Sequence, residues 1–183
     1  MYESLKKRFT DQFGTKPGFV FSAPGRTEIG GNHTDHQHGC VLAAAVDMQT
    51  EAEVRLNGTH LILIDSEGFA PVTVDLDDLS VHESEKNTTA ALVRGVAAAF
   101  QARGCKLCGF DAKVRSTVLP GSGLSSSAAF EVLIGRILNG LFFENKLSAI
   151  EIAQIGQYAE NVYFGKPSGL MDQMASSVGG LVF

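Results

Sequence analysis

The stretch that decides the fold reads PGSGLSSSAA, residues 120–129. A strand-like run, 110–117, precedes it, and an apolar run from about Ser125 to Phe143 predicts a long helix after it. Glycines let a backbone approach a ligand closely, and amides at a helix start carry partial positive charge, so this turn suits a phosphate group. The turn differs from a Walker A loop and from G-x-G-x-x-G, whose third glycine is Ser126 here. A serine-capped helix after a tight turn is the alternative interpretation.

Working outward from this turn, strand-like runs come first and helices later. The runs that favour short strands are 19–23, 41–48, 51–56, 61–65, 72–76 and 110–117, and Asn57-Gly58 has the pattern of a hairpin turn. The periodicity predicts helices over 90–102, 125–143, 148–164 and 170–177, with a break at 165–169. This order predicts one α+β domain over residues 1–183. Because residues 179–183 resemble the beginning of a strand, we expect the chain to be part of a longer protein.

Composition excludes several classes of protein. Among the 183 residues, 44% are hydrophobic and 19% are charged, which is typical of a globular domain. A net charge of −5 disfavours a broad nucleic-acid-binding surface. No apolar run approaches the roughly 18 residues of a membrane span, and the charges within residues 1–14 leave no room for a signal-peptide core. With an odd number of cysteines, Cys40, Cys105 and Cys108, the chain is predicted to be cytoplasmic, without nucleic-acid or membrane partners.

A second informative segment, PGRTEIGGNHTDHQHG over residues 24–39, is predicted to be a polar loop of sixteen residues. Its density of hydrogen-bonding groups favours ligand binding over a plain connection. In one hypothesis Asn32, His33 and Asp35 hold the hydroxyls of a sugar while Arg26 faces a phosphate. In a second hypothesis the chain is a metal-dependent hydrolase with four candidate ligands: His33, Asp35, His36 and His38. A solvated polar loop is the third interpretation.

Two carboxylates form the third informative feature. Glu160 lies on a predicted helix, and Asp172 lies beyond the break in GKPSGLMDQ, residues 165–173. The two acids belong to different segments and can therefore converge from different directions. One carboxylate near a metal ion and another near a hydroxyl group are what phosphoryl transfer from a nucleotide requires. Taken singly, each acid is more often a surface residue or a helix cap.

In this order, the three segments resemble the GHMP kinase superfamily, the group of galactokinase, homoserine kinase, mevalonate kinase and phosphomevalonate kinase. PGSGLSSSAA resembles the family's phosphate-binding loop, residues 24–35 resemble its galactokinase signature, and GLMDQ resembles the segment around the galactokinase catalytic aspartate. The resemblance covers residues 19–183 and implies the GHMP kinase N-terminal domain, a mixed sheet of short strands packed with helices. Because members of the family are longer, it also implies a C-terminal domain that packs on this one and lies outside this chain.

The resemblance further implies a sugar kinase that uses ATP and Mg²⁺ to phosphorylate galactose or a close relative at the anomeric hydroxyl. It makes Asp172 the acceptor of the hydroxyl proton and places Arg26 beside it, facing the transferred phosphoryl group. The sugar contacts that it implies are Glu28, Asn32, His33 and Asp35. The implied contacts to the nucleotide phosphates are Gly121, Gly123, Leu124, Ser125 and Ser126, and the implied magnesium ligands are Ser127 and Glu160.

Three positions depart from the usual galactokinase signature. Asn32 stands in place of Glu, Glu28 in place of Asn, and His36 in place of Tyr. Asn32 offers a neutral acceptor and a donor where an acid would only accept. The resemblance therefore specifies the type of reaction better than it specifies the sugar. A sugar-sensing regulator that has lost catalysis is a further hypothesis. The presence of both Asp172 and Arg26 argues against it.

Overall fold

The centre of the structure is a mixed β-sheet, seen in a computed structural model that describes residues 7, 9–11, 14, 18–37 and 39–183. In chain order its strands are β1 (Phe19–Gly30), β2 (Leu42–Leu56), β3 (Leu61–Ser66), β4 (Val72–Asp75), β5 (Phe110–Ser116) and β6 (Leu181–Val182). The hydrogen-bonded order is β1-β2-β5-β3-β4, and β6 pairs with β2. Strands β3 and β5 run parallel, and the other neighbours run antiparallel. The predicted α+β fold with a mixed sheet is confirmed.

Helices pack against this sheet and against one another. They are α1 (Thr89–Ala102), α2 (Ser126–Phe142), α3 (Ala149–Tyr158) and α4 (Met171–Val178), and α3 continues as a π-helical segment over Ala159–Phe164. Short 3₁₀ turns lie at Thr34–Gln37 and Glu83–Glu85, and residues 7 and 9–11 are also helical. Within the part of the chain that is described, no helix is long and apolar enough to cross a membrane. The predicted helices are confirmed to within about two residues at each end.

The core lies between the sheet and these helices. Its largest strand-borne members are Ile62, Ile64 and Phe110, and Phe100 and Leu133 contribute from the helices, all of them 2% exposed or less. Burial of each such side chain contributes roughly 1.5–3 kcal/mol to folding. The core therefore holds the sheet and the helices in fixed positions, including the strand β1 that carries Arg26 and Glu28.

The hairpin predicted at Asn57-Gly58 is wrong, because β5 lies between the two strands that this turn connects. Ala112 of β5 is the partner of Val54 on one side and of Ile64 on the other, so three buried side chains fall into one row. The Asn57 Nδ2 group also donates to Asp111 Oδ1 at 2.9 Å, which ties the turn itself to β5. Burial of this row outweighs the local turn preference.

The sixteen-residue loop predicted over 24–39 is also wrong in its first half. Residues 24–30 belong to β1, where Arg26 is the partner of Ala45 and Glu28 is the partner of Ala43. The register shifts between Pro24 and Arg26 and again after Glu28, as expected where proline enters a strand. The two runs 41–48 and 51–56 are likewise a single strand, β2. Arg26 and Glu28 are therefore held by a strand rather than by a free loop.

A close contact between α1 and the π-helical segment generates a stability prediction. A Cβ atom added at Gly95 would lie 2.8 Å from the Cβ of Ala159 and 2.9 Å from Cδ2 of Tyr163. We expect Gly95→Ala to lower the free energy of unfolding by about 1–3 kcal/mol through overpacking, although alanine is the better helix former by about 1 kcal/mol. Urea unfolding measures this change. Gly18→Ala, whose Cβ would meet nothing nearer than 3.8 Å, is the control. Equal stability of both variants would contradict the close packing.

Candidate active site

The glycine- and serine-rich turn, residues 120–125, lies against the middle of β1. The Arg26 amide donates to the Leu124 carbonyl at 3.0 Å, and a Cβ at Gly25 would lie 3.0 Å from that same oxygen. Gly121 and Gly123 have φ angles of +76° and +77°, a conformation that favours glycine. The turn therefore curls toward the strand and opens onto the first turn of α2.

Arg26 and Asp172, the two predicted catalytic residues, are in direct contact. Arg26 Nε donates to Asp172 Oδ1 at 2.6 Å, and Arg26 Nη1 donates to the Gly123 carbonyl at 2.6 Å. The Ser125 hydroxyl donates to Asp172 Oδ2. Burial by itself raises the pKa of Asp172, but the hydrogen bonds from Arg26 and Ser125 and the charge of Arg26 outweigh it, so this pKa lies below its ordinary value. Asp172 is therefore an ionised carboxylate at neutral pH.

The predicted sugar-contact residues divide into two groups. Asp35 lies in the site, since its Oδ2 accepts from the Met171 amide at 3.0 Å, next to Asp172. Gly169 makes this approach possible, because a Cβ there would lie 1.9 Å from Asp35 Oδ2. His33 also reaches the site, and Asn32 is exposed on the turn before it.

Glu28 is engaged within its own segment. Its Oε1 accepts from the His33 amide at 2.9 Å, and its Oε2 contacts His33 Nδ1. The Glu28 side chain is only 14% exposed. Its role as a sugar contact stays a prediction, and the geometry favours a role inside the turn.

The geometry does not support the hydrolase hypothesis. Among the residues that the structure describes, no group of three His, Cys, Asp or Glu side chains is placed to hold a metal ion. His33 is paired with Glu28, and Asp35 accepts from the backbone of α4. His36 is exposed on the 3₁₀ turn, and His38 lies outside the described residues.

Ser127 and Glu160, the predicted metal ligands, come together at the start of α2. The Ser127 hydroxyl lies 3.5 Å from Glu160 Oε1, and Glu160 is 2% exposed. Lys166 Nζ lies 3.1 Å from the same oxygen. Glu160 stands on the π-helical segment, and such segments often occur at functional sites. A hydroxyl and a carboxylate oxygen side by side are the hard donors that Mg²⁺ prefers, so the two residues fit that ion.

Sequence reasoning missed the residues that donate hydrogen bonds to Oε2 of Glu160, the oxygen that does not face Ser127. Gln173 Nε2 donates to Glu160 Oε2 at 2.8 Å and to Glu131 Oε2 at 2.9 Å, and the Ser168 hydroxyl donates to Glu160 Oε2 at 2.7 Å. The available signal was Glu131, the single acid of α2, which stands among apolar residues on both sides. Burial, followed by repulsion from Glu160, raises the pKa of Glu131 well above its ordinary value. Glu131 Oε1 and Gln173 Oε1 have no hydrogen-bond partner in the described part of the chain, which agrees with a proton on Glu131.

A cavity of about 320 Å³ opens beside the glycine- and serine-rich turn. Its apolar wall includes Phe69, Phe130 and Phe164, and Ser126 and Ser127 lie at its polar side. The resemblance to the family implies that residues 86–94 lie near the adenine pocket, without a Trp to stack on the base, and Asn87, Thr89 and Leu92 of that segment line this cavity. The aromatic residues of this wall are separated widely in sequence, which explains why no motif marks them.

Two family models match the chain. The model described as the galactokinase galactose-binding signature matches residues 7–56, and the model described as the GHMP kinases N terminal domain matches residues 91–180. The first range contains Arg26, His33 and Asp35, and the second contains the glycine- and serine-rich turn and both Glu160 and Asp172. The matches therefore cover the residues that the structure brings together.

Curated relatives and solved structures agree with these matches. The chain is 36% identical over 174 residues to a galactokinase of Streptomyces coelicolor, and 36% identical over 184 residues to a galactokinase of Bacillus subtilis, covering 95% and 98% of this chain. It spans about half the length of these relatives, 45% and 46%. It superposes on Lactococcus lactis galactokinase complexed with galactose with a TM-score of 0.85 at 30% identity, over 95% of this chain and 45% of that one. A Methanococcus jannaschii mevalonate kinase shares the fold, with a TM-score of 0.74 at 17% identity over 89% of this chain and 52% of that one.

The buried Glu131 carboxyl generates a prediction about pH. Because its pKa is raised in the folded state, its contribution to stability is complete below the unfolded value of 4.5 and is lost as pH rises toward the folded-state pKa. Glu131→Gln keeps the shape of the neutral acid but cannot ionise. We expect the variant to gain stability relative to the parent as pH rises from about 5 to 7, by about 1.4 kcal/mol for each pKa unit of the shift that this range covers.

Urea unfolding midpoints at a series of pH values measure this difference. Glu83→Gln, at an acid whose side chain is 79% exposed, is the control and should show no such trend. A constant stability difference between Glu131→Gln and the parent across this range would show that Glu131 does not titrate abnormally.

Proposed function

Since the chain belongs to the GHMP kinase family, we propose that the complete protein transfers the γ-phosphoryl group of ATP to the anomeric hydroxyl of galactose or of a close relative. The product is then the sugar 1-phosphate. One observation carries this proposal: the Asp172 carboxylate is held by Arg26 at 2.6 Å beside a phosphate-binding turn, with Asp35 next to it. The galactokinases among the relatives support the choice of a sugar over other alcohols.

In the proposed reaction, Asp172 accepts the proton of the anomeric hydroxyl. The hydroxyl oxygen then bonds to the γ-phosphorus as the bond from that phosphorus to the bridging oxygen breaks, and ADP leaves. Asp172 is available for this role because Arg26 and Ser125 favour its ionised form and its side chain is 24% exposed, so the carboxylate can accept a proton and is accessible. Arg26 neutralises charge on the transferred group, and such an arginine contributes on the order of a thousandfold or more in related reactions.

We place the nucleotide along the turn and the neighbouring cavity. The aromatic wall of Phe69, Phe130 and Phe164 offers apolar surface for the base. The phosphates would lie over the turn, along the predicted contacts Gly121, Gly123, Leu124, Ser125 and Ser126. Because the Ser125 hydroxyl donates to Asp172, Ser125 would serve the phosphates through its backbone amide.

Ser127 and Glu160 would hold a Mg²⁺ ion beside these phosphates. When bound, such an ion supplies charge neutralisation for the transferred phosphoryl group. Gln173 and Ser168 both donate to Oε2 of Glu160, and this leaves Oε1 turned toward Ser127. The carboxylate is therefore oriented before any ligand binds.

The first test concerns the proposed base. We expect Asp172→Asn to lower kcat at least about 100-fold, because the amide cannot accept the proton, and to leave the affinity for ATP within a few-fold. Coupled ADP release with the complete protein measures turnover on galactose, N-acetylgalactosamine, arabinose, glucuronate and mevalonate. Asp77→Asn, at an acid whose side chain is 69% exposed, is the control. Turnover equal to that of the parent would refute the role of Asp172, and sugar binding without turnover in the parent would favour the regulator hypothesis.

The second test concerns the metal ligands. We expect Ser127→Ala and Glu160→Gln each to raise the Mg²⁺ concentration needed for half-maximal turnover several-fold, since the first removes an oxygen ligand and the second removes the negative charge of another. A Mg²⁺ titration at saturating ATP measures this, and electron paramagnetic resonance of bound Mn²⁺ checks it without turnover. Ser80→Ala, in an exposed turn, is the control. Unchanged titrations in both variants would place the ion elsewhere.

A further inference from the structure

The turn that follows β1 contains two consecutive residues in the left-handed region. Asn32 and His33 have φ angles of +55° and +52°, which residues with a side chain adopt only where contacts hold them. Glu28 supplies such a contact, since its Oε1 accepts from the His33 amide at 2.9 Å. The Thr34 hydroxyl closes the other side by donating to the Gly31 carbonyl at 2.8 Å. Glu28 thus holds the backbone of the turn from the end of β1.

The second oxygen of Glu28 determines which nitrogen of the His33 ring carries the hydrogen. Glu28 Oε2 contacts His33 Nδ1, and an ionised carboxylate can only accept, so Nδ1 carries the hydrogen. In a neutral ring Nε2 is then the acceptor. That nitrogen lies 3.5 Å from Nη2 of Arg26, which can only donate. Both neighbours of the ring therefore select the same tautomer.

Arg26 connects His33 to the proposed base, Asp172. Nη2 of Arg26 faces His33, Nη1 donates to the Gly123 carbonyl, and Nε donates to Asp172. Three nitrogens of the guanidinium thus have partners from three different segments. Because the group is planar, a change at one partner tilts the other two contacts.

Resting on the proposed function, we propose that Glu28 is a positioning residue for the reaction. It holds His33 in the form with hydrogen on Nδ1 and with Nε2 turned to Arg26, and it thereby sets the orientation of the guanidinium relative to Asp172. Glu28 does not contact the sugar in this proposal, since both of its oxygens are used within the turn.

This proposal accounts for two departures from the galactokinase signature together. Glu28 stands in place of Asn and Asn32 in place of Glu, so an acid and an amide have exchanged positions. An amide at position 28 can donate as well as accept, and it would therefore accommodate either tautomer of His33. A carboxylate admits only one. Asn tolerates the left-handed conformation at position 32 better than most residues.

The first measurement detects the tautomer directly. Long-range ¹H–¹⁵N spectra of the complete protein with ¹⁵N-labelled histidine distinguish the two tautomers, and the His33 signals are assigned by their loss in His33→Asn. We expect hydrogen on Nδ1 in the parent and a measurable share of the tautomer with hydrogen on Nε2 in Glu28→Gln and Glu28→Asn, because only the longer contact with Arg26 then selects the tautomer. Asp77→Asn is the matched control, because it alters another acid–histidine contact, that of Asp77 with His60 Nδ1 at 2.8 Å. It should leave the His33 spectrum unchanged.

The second measurement separates positioning from sugar binding. We expect Glu28→Gln to lower kcat about tenfold and to change the KM for the sugar less than about threefold, because a misplaced guanidinium weakens transition-state contacts rather than sugar contacts. In a His33→Asn background the same substitution should have little further effect, since its route to Arg26 is gone.

Two results would overturn the proposal. A raised KM with unchanged kcat in Glu28→Gln would identify Glu28 as a sugar contact, and an unchanged His33 tautomer in Glu28→Gln and Glu28→Asn would refute the positioning. Failure of the proposed function is distinguishable from both. If the parent phosphorylates no sugar while the tautomer still responds to Glu28, the positioning stands and the kinase assignment falls.

Discussion

The contact between Arg26 and Asp172 joins β1 to the start of α4 across 146 residues of sequence, and the rest of the site depends on it. Burying an arginine at 6% exposure is costly unless its charge and its hydrogen bonds are satisfied. Asp172 supplies the charge and the Gly123 carbonyl supplies a further acceptor. A strand, a glycine-rich turn and a helix therefore meet at one point because each completes what the guanidinium requires.

Environment assigns different tasks to carboxylates that lie close together. The pKa of Asp172 is lowered because Arg26 and Ser125 donate to it, whereas burial and repulsion from Glu160 raise the pKa of Glu131. Gln173 connects these groups, since it follows Asp172 directly and donates to both Glu131 and Glu160. The first turn of α4 thus positions the proposed base and the proposed metal ligand at once.

Two of the errors in the predicted fold, the hairpin and the loop, have the same physical origin. The Asn57-Gly58 turn and the glycines and proline of residues 24–30 are local signals, and locally they favour a hairpin and a loop. In the folded chain, β5 enters between β2 and β3 because Ala112 completes a buried row with Val54 and Ile64. Residues 24–30 become strand because β2 is long enough to pair with them.

By itself, the sequence determined the helices and the glycine- and serine-rich turn, and it singled out Arg26, Glu160 and Asp172 as candidate site residues, since these depend on periodicity and on motifs within short segments. Only the tertiary structure decided the strand order, the use of Glu28 within its own turn, and the support of Glu160 by Gln173 and Glu131. The strand order and the support of Glu160 join segments that are distant in sequence, so they depend on the packing of the whole domain. The use of Glu28 depends on the direction of its side chain, which the residue type alone does not fix. Burial and hydrogen-bond partners from distant segments together shift the pKa of each carboxyl group, and no local pattern encodes those partners.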